Sequence, residues 1–207
     1  MKVVVLLSGG IDSTVTLFFV RKKIVKSNVY PLVFNYGQLN GREIECAKYQ
    51  VKAAGVKRLE LVDLRGFGRL IGKVSLLTGG LEATPYVPFR NLVLLSITCS
   101  YAEVIGAEKI YYGANLVDFE GFWDCRPGFV ESVNKVVELS GKKIVIEAPL
   151  ITYSKADVIK LGIEFGVDFS KTRSCYEKKE KPCGKCLACQ LREKAFKELR
   201  VEDPLLE

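Results

Sequence analysis

The chain has 207 residues, 48% of them hydrophobic and 27% charged, enough for one domain with a real core and no need of disulfide staples. Histidine is absent, which removes imidazole bases, imidazole metal ligands and every nucleophile pair built on histidine, so any catalysis uses carboxylates, lysines, arginines, backbone dipoles or a metal. The formal charge of +7 suits anionic ligands such as nucleotides or RNA, and it equally suits a solvated lysine-rich surface.

No apolar run approaches the ~20 residues of a bilayer span, and "MKVVVLL" is too short for a secretory leader. A cytoplasmic protein is expected. In chain order, "VVVLL" at 3–7 reads as a strand buried on both faces of a parallel sheet. "DSTVTLFFVRKK" follows as a helix ending in basic residues, with the glycine turn "SGGIDST" at 8–14 at the junction. "VYPLVFNY" at 29–36 is a second strand. After it Ile44, Ala47, Val51 and Ala54 recur at helical spacing, with Glu43, Glu45 and Lys48 between them on the polar face. "VKRLELVDL" supplies a third strand, giving βαβαβ, the pattern of a doubly wound sheet.

Residues 66–89, rich in glycine and proline, break this rhythm and read either as a mobile stretch over a site or as a plain surface loop. A buried apolar helix is expected from Asn91, a strand at "KIYYGA", a helix at "FVESVNKVVEL" and a strand at "KIVIEAPL". "SKADVIKLG" opens with Ser154 and Asp157 as a capping box and closes with Gly162. The expected organisation is an α/β, mostly parallel Rossmann-like domain over 1–169, with a small cysteine-bearing appendage and helix over 170–207.

Three motifs carry chemistry. In SGGIDST, glycines after a buried strand let backbone N–H groups approach phosphate, and the next helix turns its positive end to the same charge. There is no lysine, and Asp12 stands where phosphates arrive, which is understandable if magnesium lies between them. The other reading is a helix-capping turn. Next, Cys175, Cys183, Cys186 and Cys189 form a closed four-thiolate set suited to structural zinc, with an iron-sulfur cluster as the alternative. The third motif, "NLVDFEGFWDCR" at 115–126, gathers Asp118, Glu120, Asp124 and Arg126 among aromatics. A carboxylate there can accept the N1–H and amino group of a guanine-like edge; an acidic surface loop is the other reading.

SGGIDST resembles the PP-loop of the N-type ATP pyrophosphatases, which split ATP between the α and β phosphates. With "FNYGQ", "VPFRN", "DFEGFWDCR" and the "SCY" to "CGKCLACQLR" tail, nearly the whole chain resembles the 7-cyano-7-deazaguanine synthase family. That resemblance implies an adenine nucleotide alpha-hydrolase-like fold with one structural zinc per chain, and a homodimer without membrane or nucleic-acid partners. It also implies a ligase that converts 7-carboxy-7-deazaguanine and ammonia to the nitrile, using ATP with magnesium, for queuosine or archaeosine. Leu7, Ser8, Gly9, Gly10, Asp12, Ser13 and Thr14 take the nucleotide role, Asp12 and Arg126 the catalytic one, and Arg90, Asp118 and Asp124 the substrate role, with the four cysteines on zinc. Leu39 and Asn40 after FNYGQ, and Phe122 and Trp123 before "DCR", depart from the family pattern. A tRNA-thiolating PP-loop enzyme is the rival and needs a spare cysteine pair, which Cys46, Cys99 and Cys125 do not offer by spacing. A related ligase for another purine-like acid, or a non-enzymatic interaction module, are further alternatives.

Overall fold

The computed structural model describes residues 1–24, 28–79, 85–116, 121–178 and 180–206. Among these residues, β1 (Val3–Leu6), α1 (Ile11–Phe19), β2 (Val29–Asn35), α2 (Arg42–Ala53) and β3 (Glu60–Asp63) form the anticipated βαβαβ. The chain then passes through α3 (Arg65–Ile71) and α4 (Arg90–Ile105) to β4 (Lys109–Tyr111), α5 (Pro127–Glu138) and β5 (Val145–Glu147). It ends with α6 (Lys155–Phe165) and α7 (Leu187–Leu199). The strand order is β3-β2-β1-β4-β5, and every pairing is parallel. Winding thus proceeds outward from β1 to β3 and resumes on the other side of β1 at β4. The carboxyl ends of β1 and β4 therefore flank a switch point, where open parallel sheets hold ligands.

Val3, Val4 and Val5 are wholly buried because helices cover both faces of β1. Val3 and Val5 pack with Leu17 of α1 and with Ala47 and Val51 of α2. Val4 points the other way, to Leu95 of α4 and Phe129 of α5. A further layer lies outside α1, where Val15 and Phe18 meet Ile159 and Phe165 of α6 and Phe196 of α7. The C-terminal helix thus shares the core of the first helix through Ala195 and Phe196.

Two expectations change. Part of the 66–89 stretch is helical, as α3, followed by a 3-10 turn at Leu76–Thr78 capped by Ser75. The helix after Ser154 does have its reciprocal box with Asp157, but it runs past Gly162 to Phe165 and stops at Gly166, whose φ of 77° is left-handed. Gly162 is there for contact: a Cβ on it would lie 2.4 Å from Phe169 Cζ and 2.8 Å from Val15 Cγ2. Among the described residues no helix is long and apolar enough to cross a membrane.

Gly162→Ala is therefore expected to destabilise the fold by about 1–3 kcal/mol through overpacking, despite alanine's better helix propensity. Urea unfolding checks this, and a variant as stable as the parent would show that the α1–α6 contact yields freely.

Candidate active site

At the end of β1 the chain turns through Ser8, Gly9 and Gly10 into α1. Gly9 has φ 85°, and a Cβ on it would stand 2.1 Å from the carbonyl oxygen of Glu43 in α2. Only glycine lets the turn lie this close to α2. Ser13 Oγ holds the turn shut, accepting from Ser8 N at 3.1 Å and donating to the Gly10 carbonyl at 3.3 Å. The N-terminus of α1 carries no side-chain cap. Its first amides are open to an anion, and the helix dipole adds positive potential there.

Leu7, Ser8, Gly10, Asp12 and Ser13 line a cleft of about 300 Å³ at the switch point. Thr14 is fully buried beneath it, and its hydroxyl has no partner among the described residues. Both oxygens of Asp12 accept from Lys155 Nζ, at 2.7 and 2.8 Å. Lys155 is the first residue of α6 and lines the same cleft. The positive charge that the sequence motif lacked is thus delivered from a residue 143 positions away. In the sequence, Lys155 reads only as the start of a capped helix.

The opposite wall is built at the start of α4. Phe89 precedes the helix at φ 51°, a left-handed conformation that costs an ordinary residue roughly 1–2 kcal/mol. The helix so launched places Arg90 and Asn91 on the cleft. Arg90 Nη1 donates to the Tyr36 hydroxyl at 3.2 Å. Asp124, 3% exposed, also faces the cleft. Burial raises its pKa, against the pull of Arg90 and of hydrogen bonds from Asn91. Glu43, from the polar face of α2, lines the cleft too; burial lifts it to about 7, while Arg90 and Arg173 draw it down. Phe34, Leu94, Tyr112 and Phe122 supply apolar surface. The lining thus combines apolar and aromatic surface with a buried carboxylate, Asp124, and a guanidinium, Arg90.

The cleft does not gather every residue singled out from sequence. Arg126 is exposed at the start of α5, in a shallow hollow with Trp123, Phe129 and Ser132. Asp118 and Glu120 lie outside the described residues. Trp123 packs edge-on against Phe89 and Phe129, each at 5.3 Å between centroids, and its Nε1 donates to the Tyr86 hydroxyl at 3.2 Å. It braces the wall of the cleft. Leu39 accompanies the 3-10 turn, its N–H donating to the Leu77 carbonyl at 2.9 Å. Asn40 Nδ2 donates to the carbonyl of Cys175 at 2.8 Å. Three of the four departures from the family pattern are therefore structural joints, and only Phe122 reaches the cleft.

Cys175, Cys183, Cys186 and Cys189 have sulfur atoms all within 4.8 Å of one another. Backbone N–H groups of Glu177 and Cys183 donate to Cys175 Sγ at 3.4 Å, and that of Cys186 to Cys183 Sγ at 3.3 Å. Such donors stabilise thiolates, and the set can hold a metal ion.

Comparison with known proteins accords with this geometry. The family model described as "Queuosine biosynthesis protein QueC" matches residues 2–200. The 7-cyano-7-deazaguanine synthase of Oceanobacillus iheyensis is 42% identical over 99% of this chain and 97% of its own. That of Thermoplasma acidophilum is 40% identical over 99% and 91%. Among solved structures, the U34-tRNA thiolase NcsA from Methanococcus maripaludis, with its 4Fe-4S cluster, has a TM-score of 0.55 at 20% identity over 96% of this chain and 65% of that one. NMN synthetase from Francisella tularensis has a TM-score of 0.57 at 12% identity over 97% and 78%. At these identities the two structures speak for the fold. With its sequence matched from end to end by family and relatives alike, the chain belongs to the QueC family of 7-cyano-7-deazaguanine synthases.

Proposed function

We propose that the protein joins ammonia to 7-carboxy-7-deazaguanine and dehydrates the product to 7-cyano-7-deazaguanine at the expense of ATP, supplying a queuosine or archaeosine precursor. The observation that carries this reading is a single cleft with an uncapped helix N-terminus and Lys155 on one side and Asp124 and Arg90 on the other. A carboxylate oxygen will not leave when ammonia attacks; transfer to AMP makes it a leaving group. The acid attacks the α phosphorus, and pyrophosphate departs against the α1 amides and Lys155, which meet its growing charge. Ammonia then displaces AMP to give the amide. Adenylation of the amide oxygen at the same site, followed by loss of AMP, gives the nitrile, so two ATP are consumed per turnover.

Asp124 accepts from N1–H and the exocyclic amine, Phe122 stacks on the ring, and Arg90 faces the edge bearing the oxygen and the carboxylate. Asp12 fixes Lys155 beneath the phosphates. Magnesium, bound with ATP, supplies further charge compensation on its phosphates. The family pattern is broken mainly outside the cleft, which supports the family's substrate over another purine-like acid. Cys46, Cys99 and Cys125 lie on three separate elements, on α2, on α4 and in the turn before α5, which does not favour a sulfur-transfer pair. A cytoplasmic homodimer, with an ATP-handling unit over 1–169 and a metal-bound segment over 170–207, completes the reading. The exposed Leu92 and Val104 on the apolar α4 support the dimer.

Structural zinc is proposed for the four cysteines. A tetrahedral ion with bonds of about 2.3 Å sets its sulfurs roughly 4 Å apart. The observed spread of no more than 4.8 Å suits one ion better than a cubane cluster, whose thiolates stand farther apart. Binding of this kind contributes ~10–16 kcal/mol of apparent free energy to the fold of such a segment.

Two outcomes are expected. Lys155→Ala should lower exchange of labelled pyrophosphate into ATP, dependent on 7-carboxy-7-deazaguanine, by about 10²–10³-fold, as for loss of a charge-stabilising donor. Undiminished exchange would remove Lys155 from the phosphate site. Metal analysis should find one zinc per chain, and Cys183→Ser should lose the metal and unfold at a lower temperature. Iron with acid-labile sulfide in stoichiometric amount would assign a cluster instead.

A further inference from the structure

Glu43 is the cleft carboxylate to which the reading above gives no task. It is the second residue of α2, and its own carbonyl is the atom that Gly9 packs against. Its side chain lines the cleft, facing Arg90 of α4, Arg173 of the cysteine segment and Tyr36 at the end of β2, with Cys46 beside it on α2. Among the described residues its carboxylate takes no hydrogen bond and no ion pair at close range, unlike Asp12, which Lys155 holds through both oxygens. Asp124 differs as well, being bonded by Asn91. On the same helix Glu45 is exposed and paired with Lys48. Of the described cleft carboxylates, that at 43 is the one drawn in from solvent and left without a fixed partner among the described residues.

The nitrogen chemistry needs such a group. Adenylation of the acid releases no proton, because the attacking oxygen is already ionised. Each later step releases one. When ammonia adds to the acyl adenylate, the C–N bond forms, the C–O bond to AMP breaks, and the nitrogen sheds a proton. When the amide oxygen attacks the second α phosphorus, pyrophosphate leaves and the nitrogen loses another. In the last step an N–H electron pair becomes the third C–N bond as the C–O bond to AMP breaks, and the final proton departs. No histidine exists to take these protons, and the Lys155 ammonium is held by Asp12.

We propose that Glu43 accepts the protons shed by nitrogen in amide formation and in dehydration, returning them to solvent between steps. The proposal rests on the synthase reading above. Burial lifts this carboxyl to about 7, with Arg90 and Arg173 opposing, so it exchanges a proton readily near neutral pH. The active form is the carboxylate, so the nitrogen steps should accelerate as pH rises through that range.

The experiment separates the half-reactions. Pyrophosphate exchange dependent on 7-carboxy-7-deazaguanine reports adenylation. Amide formed from the acid and ammonia, and nitrile formed from supplied amide, report the later steps. For Glu43→Gln, exchange should stay comparable to wild type, while both nitrogen steps fall by about 10²–10³-fold. The acidic limb of nitrile formation from supplied amide, a step in which no ammonia titrates, should vanish. Glu43→Asp should recover part of the rate with the limb displaced. Nitrile formation by Glu43→Gln at the wild-type rate, or an unchanged acidic limb, overturns the proposal. So does a parallel loss of exchange and nitrile formation in a variant whose thermal unfolding is unaltered, since that is the mark of a role in binding the acid or ATP. If wild-type enzyme shows no acid-dependent exchange, the synthase reading fails, and this role fails with it.

Discussion

The site depends on one close contact, the bare backbone of Gly9 against the first turn of α2. No side chain fits between them, since a Cβ there would lie 2.1 Å from the Glu43 oxygen and 2.8 Å from the Ala47 nitrogen. On its other side the same residue is clamped by the cysteine segment, whose Arg173 N–H donates to the Gly9 carbonyl at 2.9 Å. Two stretches distant in sequence are thereby pinned to one turn. The amides at the start of α1, the carboxylate of Glu43 and the guanidinium of Arg173 all follow from that pinning. The cysteine segment thus forms part of the cleft wall, through Arg173, Ser174 and Tyr176. Asn40 strengthens the link through its bond to the Cys175 carbonyl.

Lacking histidine, the molecule distributes its acid–base work through environment. Among the described residues three carboxylates, Asp12, Glu43 and Asp124, face one cavity, and their surroundings separate them. Asp12 is paired with Lys155. Asp124 is buried but hydrogen-bonded, which in the proposed reading suits it to accept from a base edge. Glu43 is desolvated, its oxygens without fixed donors among the described residues, and burial lifts it to about 7. The strained backbone at Phe89 and the bracing of Trp123 belong to the same economy, since both hold the wall that carries Arg90.

Much of this was legible in the sequence, and physics explains which part. Strands buried on both faces announce themselves as unbroken β-branched runs, so β1 and β2 and the alternation with helices were readable. The PP-loop and the four cysteines are local in sequence, and local patterns survive without coordinates. Lys155 was hidden because a lysine at the start of a capped helix has no feature that marks it; its partner is supplied by tertiary packing. Glu43 was hidden by its own periodicity, which marks a polar face without saying whether that face meets water or a cleft. Gly162 misled for a related reason: a glycine near a helix end looks like a stop, whereas here it admits Phe169. Arg126, set beside Asp124 in sequence, points away because the chain turns through a 3-10 segment at Trp123–Cys125.

The C-terminal helix is bound in with equal economy. Arg192 pairs with Asp203 at 2.6 and 2.7 Å and donates to Thr172 and to the Phe169 carbonyl, so one buried guanidinium joins α7, the chain end and the turn before the cysteines. A cation this deep is tolerated only because every face of it is met. At the centre of the account is diphosphate leaving at the end of β1 while AMP passes to an acid. The most direct test is a balance of the nucleotide products, using γ-labelled ATP with 7-carboxy-7-deazaguanine and ammonia. Label recovered in pyrophosphate, with two AMP for each nitrile formed, is the predicted result; label in orthophosphate with ADP as the nucleotide product would contradict it.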